Sequence, residues 1–316
     1  MFSSTKSKSN FLGVPLDELQ LILSSANIKT SLDDSTLVGR HDHYTTSIEV
    51  VPPEHRESEI GPIRAVVRIT TELPGQVQEL FQAPEMTVLM NSFAALGALT
   101  WERGKVFVGS RLTIYETEDA WDTLHLPLLA CTAIFATEAI LGGIRRSFAG
   151  ECQQGVTSAW TDRDMEQVHK YLSKICVCNT CDLRLTAEFG LADGAVSAME
   201  GDHNTALFQL MADEPHPELA GGLFCLLQMP HQISDEKRLK QLCLQLNNME
   251  MAARDMPPHF GAWCIGKLGN NPVYVSFFPN VLHAVSGIAV NAAFWALGRA
   301  RRANAMLASL GVNLRS

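Results

Sequence analysis

Three cysteines spaced Cys176-x-Cys178-x-x-Cys181 follow a helical segment that carries His169, and this is the group in the chain best suited to chemistry. Thiolates and an imidazole can complete the tetrahedral shell that zinc prefers, and Cys178 with Cys181 has the spacing of a dithiol redox pair. No second pair follows at the distance a zinc knuckle needs. Cys181 also opens the alternating series Leu183, Leu185, Ala187, Phe189, Leu191 on its apolar side, a pattern that favours a buried structural thiol. A second group, Pro257-Pro258-His259-Phe260-Gly261-Ala262-Trp263-Cys264, sets an imidazole near a thiol, and a thiol nucleophile needs a base within hydrogen-bond reach. Its counterpart in the first half, Leu96-Gly97-Ala98, has neither group, so a turn and core packing are expected, with Gly97 and Gly261 in the same role. His41-Asp42-His43 would place two imidazoles on one side of a strand, but no third metal ligand is nearby.

Carboxylates gather at Glu116, Glu118, Asp119 and Asp122 and again at Asp213, Glu214 and Glu218. The first set precedes a helix, where the dipole stabilises it without a ligand; both sets also offer a surface to a basic partner. Arg145-Arg146 and the arginines between 299 and 302 are assigned to helix C-termini on the same dipole argument. The chain has no Gly-rich phosphate loop, no G-x-S-x-G elbow and no H-E-x-x-H helix. No catalytic residue and no cofactor is therefore assigned, and His169, Cys176, Cys178 and Cys181 stand as the metal candidates.

The elements that must position these residues occur twice. Leu16, Leu19, Leu23 and Ala26 return as Met165, Val168, Leu172 and Ile175; Met86, Leu89, Met90, Phe93 and Leu96 return as Leu239, Leu242, Cys243, Leu246 and Met249; Val106-Phe107-Val108 returns as Val273-Tyr274-Val275. Such repetition in constant order marks two copies of one supersecondary unit. In the first copy the pattern predicts a helix from Pro15 to Asn27, strands at 36–41, 44–51 and 64–71, and a helix from Pro84 that a positive φ at Gly97 ends. A hairpin at 98–101 and 106–115 and an apolar helix at 127–146 complete it. In the second, Thr161 and Asp164 form a capping box and strands follow at 181–191, 206–211 and 223–229. A helix capped by Ser234 runs to Arg254, a hairpin spans 262–267 and 273–278, and a last helix covers 280–310. The expected fold is α+β: two tandem α-β-β-β-α-β-β-α units, each a largely antiparallel sheet with helices on one face, packed as a pseudo-dimer. Residues 1–14 are read as a flexible tail, 15–148 as the first unit, 149–161 as a linker and 162–316 as the second unit.

At 316 residues the chain has room for two such units, and 46% hydrophobic against 19% charged residues calls for extensive cover between them or by a partner. A net charge of −9 without a dense basic run excludes a nucleic-acid backbone as ligand. The N-terminal ten residues lack a secretory core, and eight cysteines without such a signal fit a reducing cytoplasm. Two apolar stretches, 124–144 with His125 and Glu138 and 281–297 with His283, Ser286 and Asn291, close the two units, and buried helices explain both better than membrane spans.

This element order resembles the type III secretion chaperones and their YbjN-like relatives, over about 15–148 and 162–312. The resemblance implies a non-enzymatic protein that holds a partner polypeptide, another protein or a second copy of itself, with the second helix of each unit at the inner interface. It carries no catalytic residue over. The alternatives are a zinc- or thiol-dependent protein built on Cys176, Cys178 and Cys181, and a structural subunit of a homo-oligomer. Because the polar groups named above each occur in one half only, the duplication reads as a scaffold for contact.

Overall fold

A computed structural model describes residues 10–53, 61–116, 120–149, 157–191, 204–253, 256–266 and 270–312. The first half runs β1 (Asn10–Phe11), β2 (Val14–Pro15), α1 (Leu16–Ser25), β3 (Lys29–Asp33), β4 (Thr36–Arg40), β5 (Thr45–Val51), β6 (Ile63–Glu72), α2 (Gly75–Gln78), α3 (Glu85–Met90), β7 (Ala98–Glu102), β8 (Lys105–Tyr115) and α4 (Leu126–Ala149). The second runs α5 (Asp162–Leu172), β9 (Val177–Cys181), β10 (Arg184–Gly190), β11 (Thr205–Met211), β12 (Gly222–Gln228), α6 (Glu236–Ala252), β13 (Ala262–Ile265), β14 (Pro272–Pro279) and α7 (Ile288–Ser309). Each half forms a six-stranded antiparallel sheet, ordered β3-β4-β5-β6-β8-β7 and β9-β10-β11-β12-β14-β13. The fold is α+β with two similar units.

Each sheet has one strand more than the sequence pattern predicts. The added strands are the edges β3 and β9, which alternate too weakly to read: Lys29, Ser31 and Asp33 are exposed, as are Asn179, Thr180 and Cys181. Both hairpins turn through an aspartate in the left-handed region, Asp34 (φ 31) and Asp182 (φ 50), a conformation Asp tolerates better than most residues.

Of the three repeated patterns, the first is in register: Leu16, Leu19 and Leu23 are buried on α1, and Met165, Val168 and Leu172 on α5. The second slips by three residues, close to a helical turn. The buried face of α3 and its 3₁₀ extension (Asn91–Phe93) is Thr87, Val88 and Asn91, with Leu89 exposed; on α6 it is Leu239, Leu242, Cys243, Leu246, Asn247 and Glu250. The true anchor is a pair of asparagines. Asn91 Nδ2 donates to Leu99 O (3.1 Å) and its Oδ1 accepts from Leu99 N (2.6 Å); Asn247 does the same with Trp263 O (2.9 Å) and N (2.7 Å). The halves therefore do share a polar constellation, contrary to the sequence reading. The third pattern slips by one residue, which in a strand exchanges the faces. Val106 and Val108 point into the core, whereas Val273 and Val275 face the other unit and Tyr274 points inward.

Cap positions differ in detail. The Thr161–Asp164 capping box forms as expected, but Asp235 caps α6, accepting from Lys237 N and Arg238 N. Leu96 (φ 61), not Gly97, takes the left-handed turn. Gly97 is needed for space: a Cβ there would lie 2.8 Å from Ser110 Oγ, and at Gly261 it would collide with the Val275 carbonyl. The predicted last helix is broken by Gly287 (φ 76) into a 3₁₀ turn, Asn280–Ala284, and α7.

Helices α1 and α4 pack on the first sheet and α5 and α7 on the second, while α3 and α6 pack on each other between the units. The helical run Trp121–Arg146 has the length and apolarity to cross a membrane, yet 67% of its most apolar window is buried inside the molecule. Part of the expected tail is ordered, since 10–15 form a hairpin with Val14 buried. The end of the expected linker is tied to the second unit by Ser158 Oγ to Gly222 O (2.8 Å), Ala159 N to Asn280 Oδ1 (2.7 Å) and the buried Trp160.

Candidate functional site

The face of α6 ends at Glu250, and Pro257-Pro258 then bring the chain back so that His259 faces the same carboxylate. Glu250 accepts from Trp263 Nε1 (2.6 Å), from Arg299 Nε (2.8 Å to Oε2, 3.1 Å to Oε1) and from His259 Nδ1 (3.0 Å). Arg299 also donates to Pro258 O (2.6 Å) and lies 3.9 Å over the Tyr274 ring, a cation–π contact. From the other unit, Arg111 on β8 donates through Nε to Glu250 O (2.9 Å) and through Nη2 to Met256 O (3.1 Å) and Pro257 O (2.7 Å). Its backbone exchanges both hydrogen bonds with that of His259 (2.7 and 3.2 Å). Glu250, Arg111 and His259 have no exposed surface and Arg299 has 2%.

Burial alone would raise the Glu250 carboxyl, but Arg299 and His259 override it and hold it at about 2. Burial lowers His259 despite Glu250, and the two guanidiniums add to the lowering. Burial likewise brings Arg111 down to about 10. The cluster thus holds an anion between cations, as buried charges require. Beside it lies a cavity of about 20 Å³, bordered by Arg299, Tyr274 and Ser276 among apolar groups, room for one water.

The cluster has an apolar mirror image. Laying Asn91 on Asn247 sets Ala94 against Glu250; laying the Leu99–Val108 strand pair on Trp263–Tyr274 sets Phe277 against Arg111. Laying Leu128-Leu129, Ala133 and Ala136 on Ile288-Ala289, Ala293 and Ala296 sets Ala139 against Arg299. Ala139 and Phe277 form a buried cluster with Ala95, while Ala94 packs in a neighbouring apolar cluster with Ala98 and Cys264. One half of the joint between the units is built around a fully buried ionic cluster, and the other has an apolar centre flanked by the part-exposed Arg146–Glu218 pair.

The sequence-predicted candidates are not brought together. His169 Nε2 bonds the backbone carbonyl of Cys178 (3.2 Å), and Cys176 Sγ donates to Leu172 O (3.3 Å). Cys178 and Cys181 lie three apart on β9 and so point to opposite faces, and Cys181 is exposed, not buried. Burial, with Cys176 nearby, pushes the Cys178 thiol up to about 12, and burial takes Cys176 to about 11. Among the described residues no three His, Cys, Asp or Glu side chains are placed to hold a metal. Cys264 sits in an apolar cluster with Ala94 and Ala98, away from the His259 cluster. His41 lies in the bend after β4, stacked on Tyr44 at 4.3 Å, so the two imidazoles do not share a strand. The acidic loop is neutralised internally: Asp213 and Glu214 pair with Arg184 (2.8 and 3.0 Å), and Glu218 pairs across the joint with Arg146 (2.9 Å). Glu118 and Asp119 lie outside the described residues. Beside the β9–β10 hairpin is an open hollow of about 340 Å³ that includes Cys181, Arg184 and Asp213.

Arg111, Glu250 and Arg299 were not legible as a group. Arg299 is no helix-end cation; it lies inside α7 and interrupts the buried series Ala289, Ala292, Ala293, Ala296, Ala300, Ala303. That interruption, and Glu250 continuing the apolar face of α6, were the available signals. Compared with known proteins, the chain matches no family model, no curated protein and no solved structure.

Proposed function

We propose that the chain is a non-enzymatic, cytoplasmic protein-binding module that holds a partner polypeptide in the manner of the type III secretion chaperones and YbjN-like proteins its element order resembles. The observation that carries this reading is a contrast in exposure. The ionic cluster is closed to solvent and spent on joining the units, which leaves a substrate no access, while both middle helices keep a large apolar side chain in solvent: Leu89 is 43% and Met249 38% exposed. An exposed apolar side chain on each of these two helices offers an anchor to a docked segment of another protein. The sheet edges suit it less, because β3 carries exposed Lys29 and Asp33 and the Cys178 carbonyl of β9 is already bonded to His169.

Affinity capture from the native cell with wild type and with Leu89→Asp/Met249→Asp tests this. The reading expects a protein retained by wild type in stoichiometric amount and lost from the variant, with unchanged circular dichroism. Retention of nothing, or equal retention by both, contradicts it. If wild type retains only further copies of itself, sedimentation at several concentrations gives the oligomer, and the homo-oligomer reading replaces it.

A further inference from the structure

The two halves of the joint each contain a buried histidine held in its neutral form by geometry. His216, in the loop before β12, is 4% exposed. Its Nδ1 accepts from Glu218 N and Leu219 N (both 3.1 Å), so the proton is on Nε2, which donates across the joint to Phe93 O (3.0 Å). A second proton would take the place of two accepted hydrogen bonds. The ring packs on Phe277, 5.0 Å between centroids, and among the described residues the charge that acts on it is Glu218, itself paired with Arg146. His259 uses Nδ1 on Glu250, and among the described residues its buried Nε2 has no hydrogen-bond partner. Charged or titratable groups face it from each packed element: Glu250 on α6, Arg111 on β8, Arg299 on α7 and Tyr274 on β14. A proton on Nε2 would create a buried donor with no partner beside two cations.

We propose that His216 and His259 together make the joint between the two units an acid-operated switch: protonating them releases β8 from the 256–259 segment and Phe93 from the 216–219 loop while each sheet stays folded. Both rings are displaced below their ordinary value of 6.5, chiefly by burial. The folded joint therefore binds fewer protons than the open one. Its stability is complete above pH 6.5 and falls as the pH drops below that value, by about tenfold in the closing equilibrium per histidine per pH unit.

Amide hydrogen exchange of the full chain at pH 7.5 and 5.0, corrected for intrinsic rates, reads the switch. Arg111 and His259, whose backbone groups bridge the units, should lose at least tenfold in protection at pH 5.0, while the β5–β6 and β10–β11 amides keep theirs. His216→Asn/His259→Asn, which preserves the Nδ-side hydrogen bonds without titrating, should show no such loss. Unchanged protection of Arg111 and His259, uniform loss throughout both sheets, or an identical response in the variant overturns the proposal. Should the variant not fold, proton NMR titration of the wild-type imidazoles decides: the proposal requires both rings to stay neutral below pH 6.5 until the joint opens, and ordinary titration with the joint closed refutes it.

Discussion

Glu250 is the residue on which the buried polar bonds of the second unit's cluster converge, from Trp263, His259 and Arg299, while Arg111 carries the bonds across this side of the joint. Removing one partner of a buried ion group costs far more than the group contributes net, because the remaining charges stay buried and unpaired. Glu250→Gln should accordingly lower stability by about 3–5 kcal/mol in urea unfolding; a loss under about 1 kcal/mol would show that the guanidiniums do not depend on the carboxylate. Because the folded Glu250 carboxyl sits near 2 against an ordinary 4.5, its contribution is complete above pH 4.5 and disappears as the pH falls toward 2. At the cysteines, burial orders reactivity: among the described thiols of β9 and the preceding turn, Cys181 should be alkylated first and Cys176 and Cys178 slowly, as peptide mass spectrometry would show. The spacing of these thiols was plain in the sequence, but chemistry depends on which face each residue takes. That is decided by strand β9, whose alternation is too weak to read. His259 was legible as a turn residue and Arg299 as a helix cation; their partners are far off in sequence, and no local pattern connects Arg111 to residue 250.

The repeated helices and strands were legible because buried apolar faces recur at periods of 3.6 and 2. The element order and the α1/α5 register survive in the structure for that reason. Register elsewhere was lost because apolar letters mark both faces of α3, where Leu89 stands in solvent, and both faces of β14, which is buried on each side. What sets the register is polar: Asn91 and Asn247 each satisfy both backbone groups of the following strand. Asn91→Ala and Asn247→Ala should therefore destabilise by similar amounts, about 1–3 kcal/mol for each orphaned backbone group. A large loss in only one of the two, measured by chemical unfolding, would show that the asparagines are not equivalent. The glycines divide by neighbour. Gly261→Ala should cost more than Gly97→Ala, since the new methyl meets a backbone carbonyl in one case and first a side-chain hydroxyl in the other.

The whole molecule is two similar units closed on each other through α3 and α6, with a buried ionic cluster on one side of the joint and, on the other, an apolar centre flanked by the Arg146–Glu218 pair. High hydrophobic content made an extensive interface legible in advance, and the resemblance placed the second helices there; which contact is charged depends on pairs brought together only by folding. A duplication that keeps its packing and its asparagine clasps, while concentrating charge where no solvent reaches, suits a rigid platform for binding. If the joint is a dimer interface made continuous, the link between the units should be dispensable once folding is complete. A protease site placed within 150–156 and cleaved in the folded protein tests this directly. The nicked chain should elute at pH 7.5 as one species near 34.7 kDa, with both pieces in equal amount; elution of two separate pieces at that pH would contradict it.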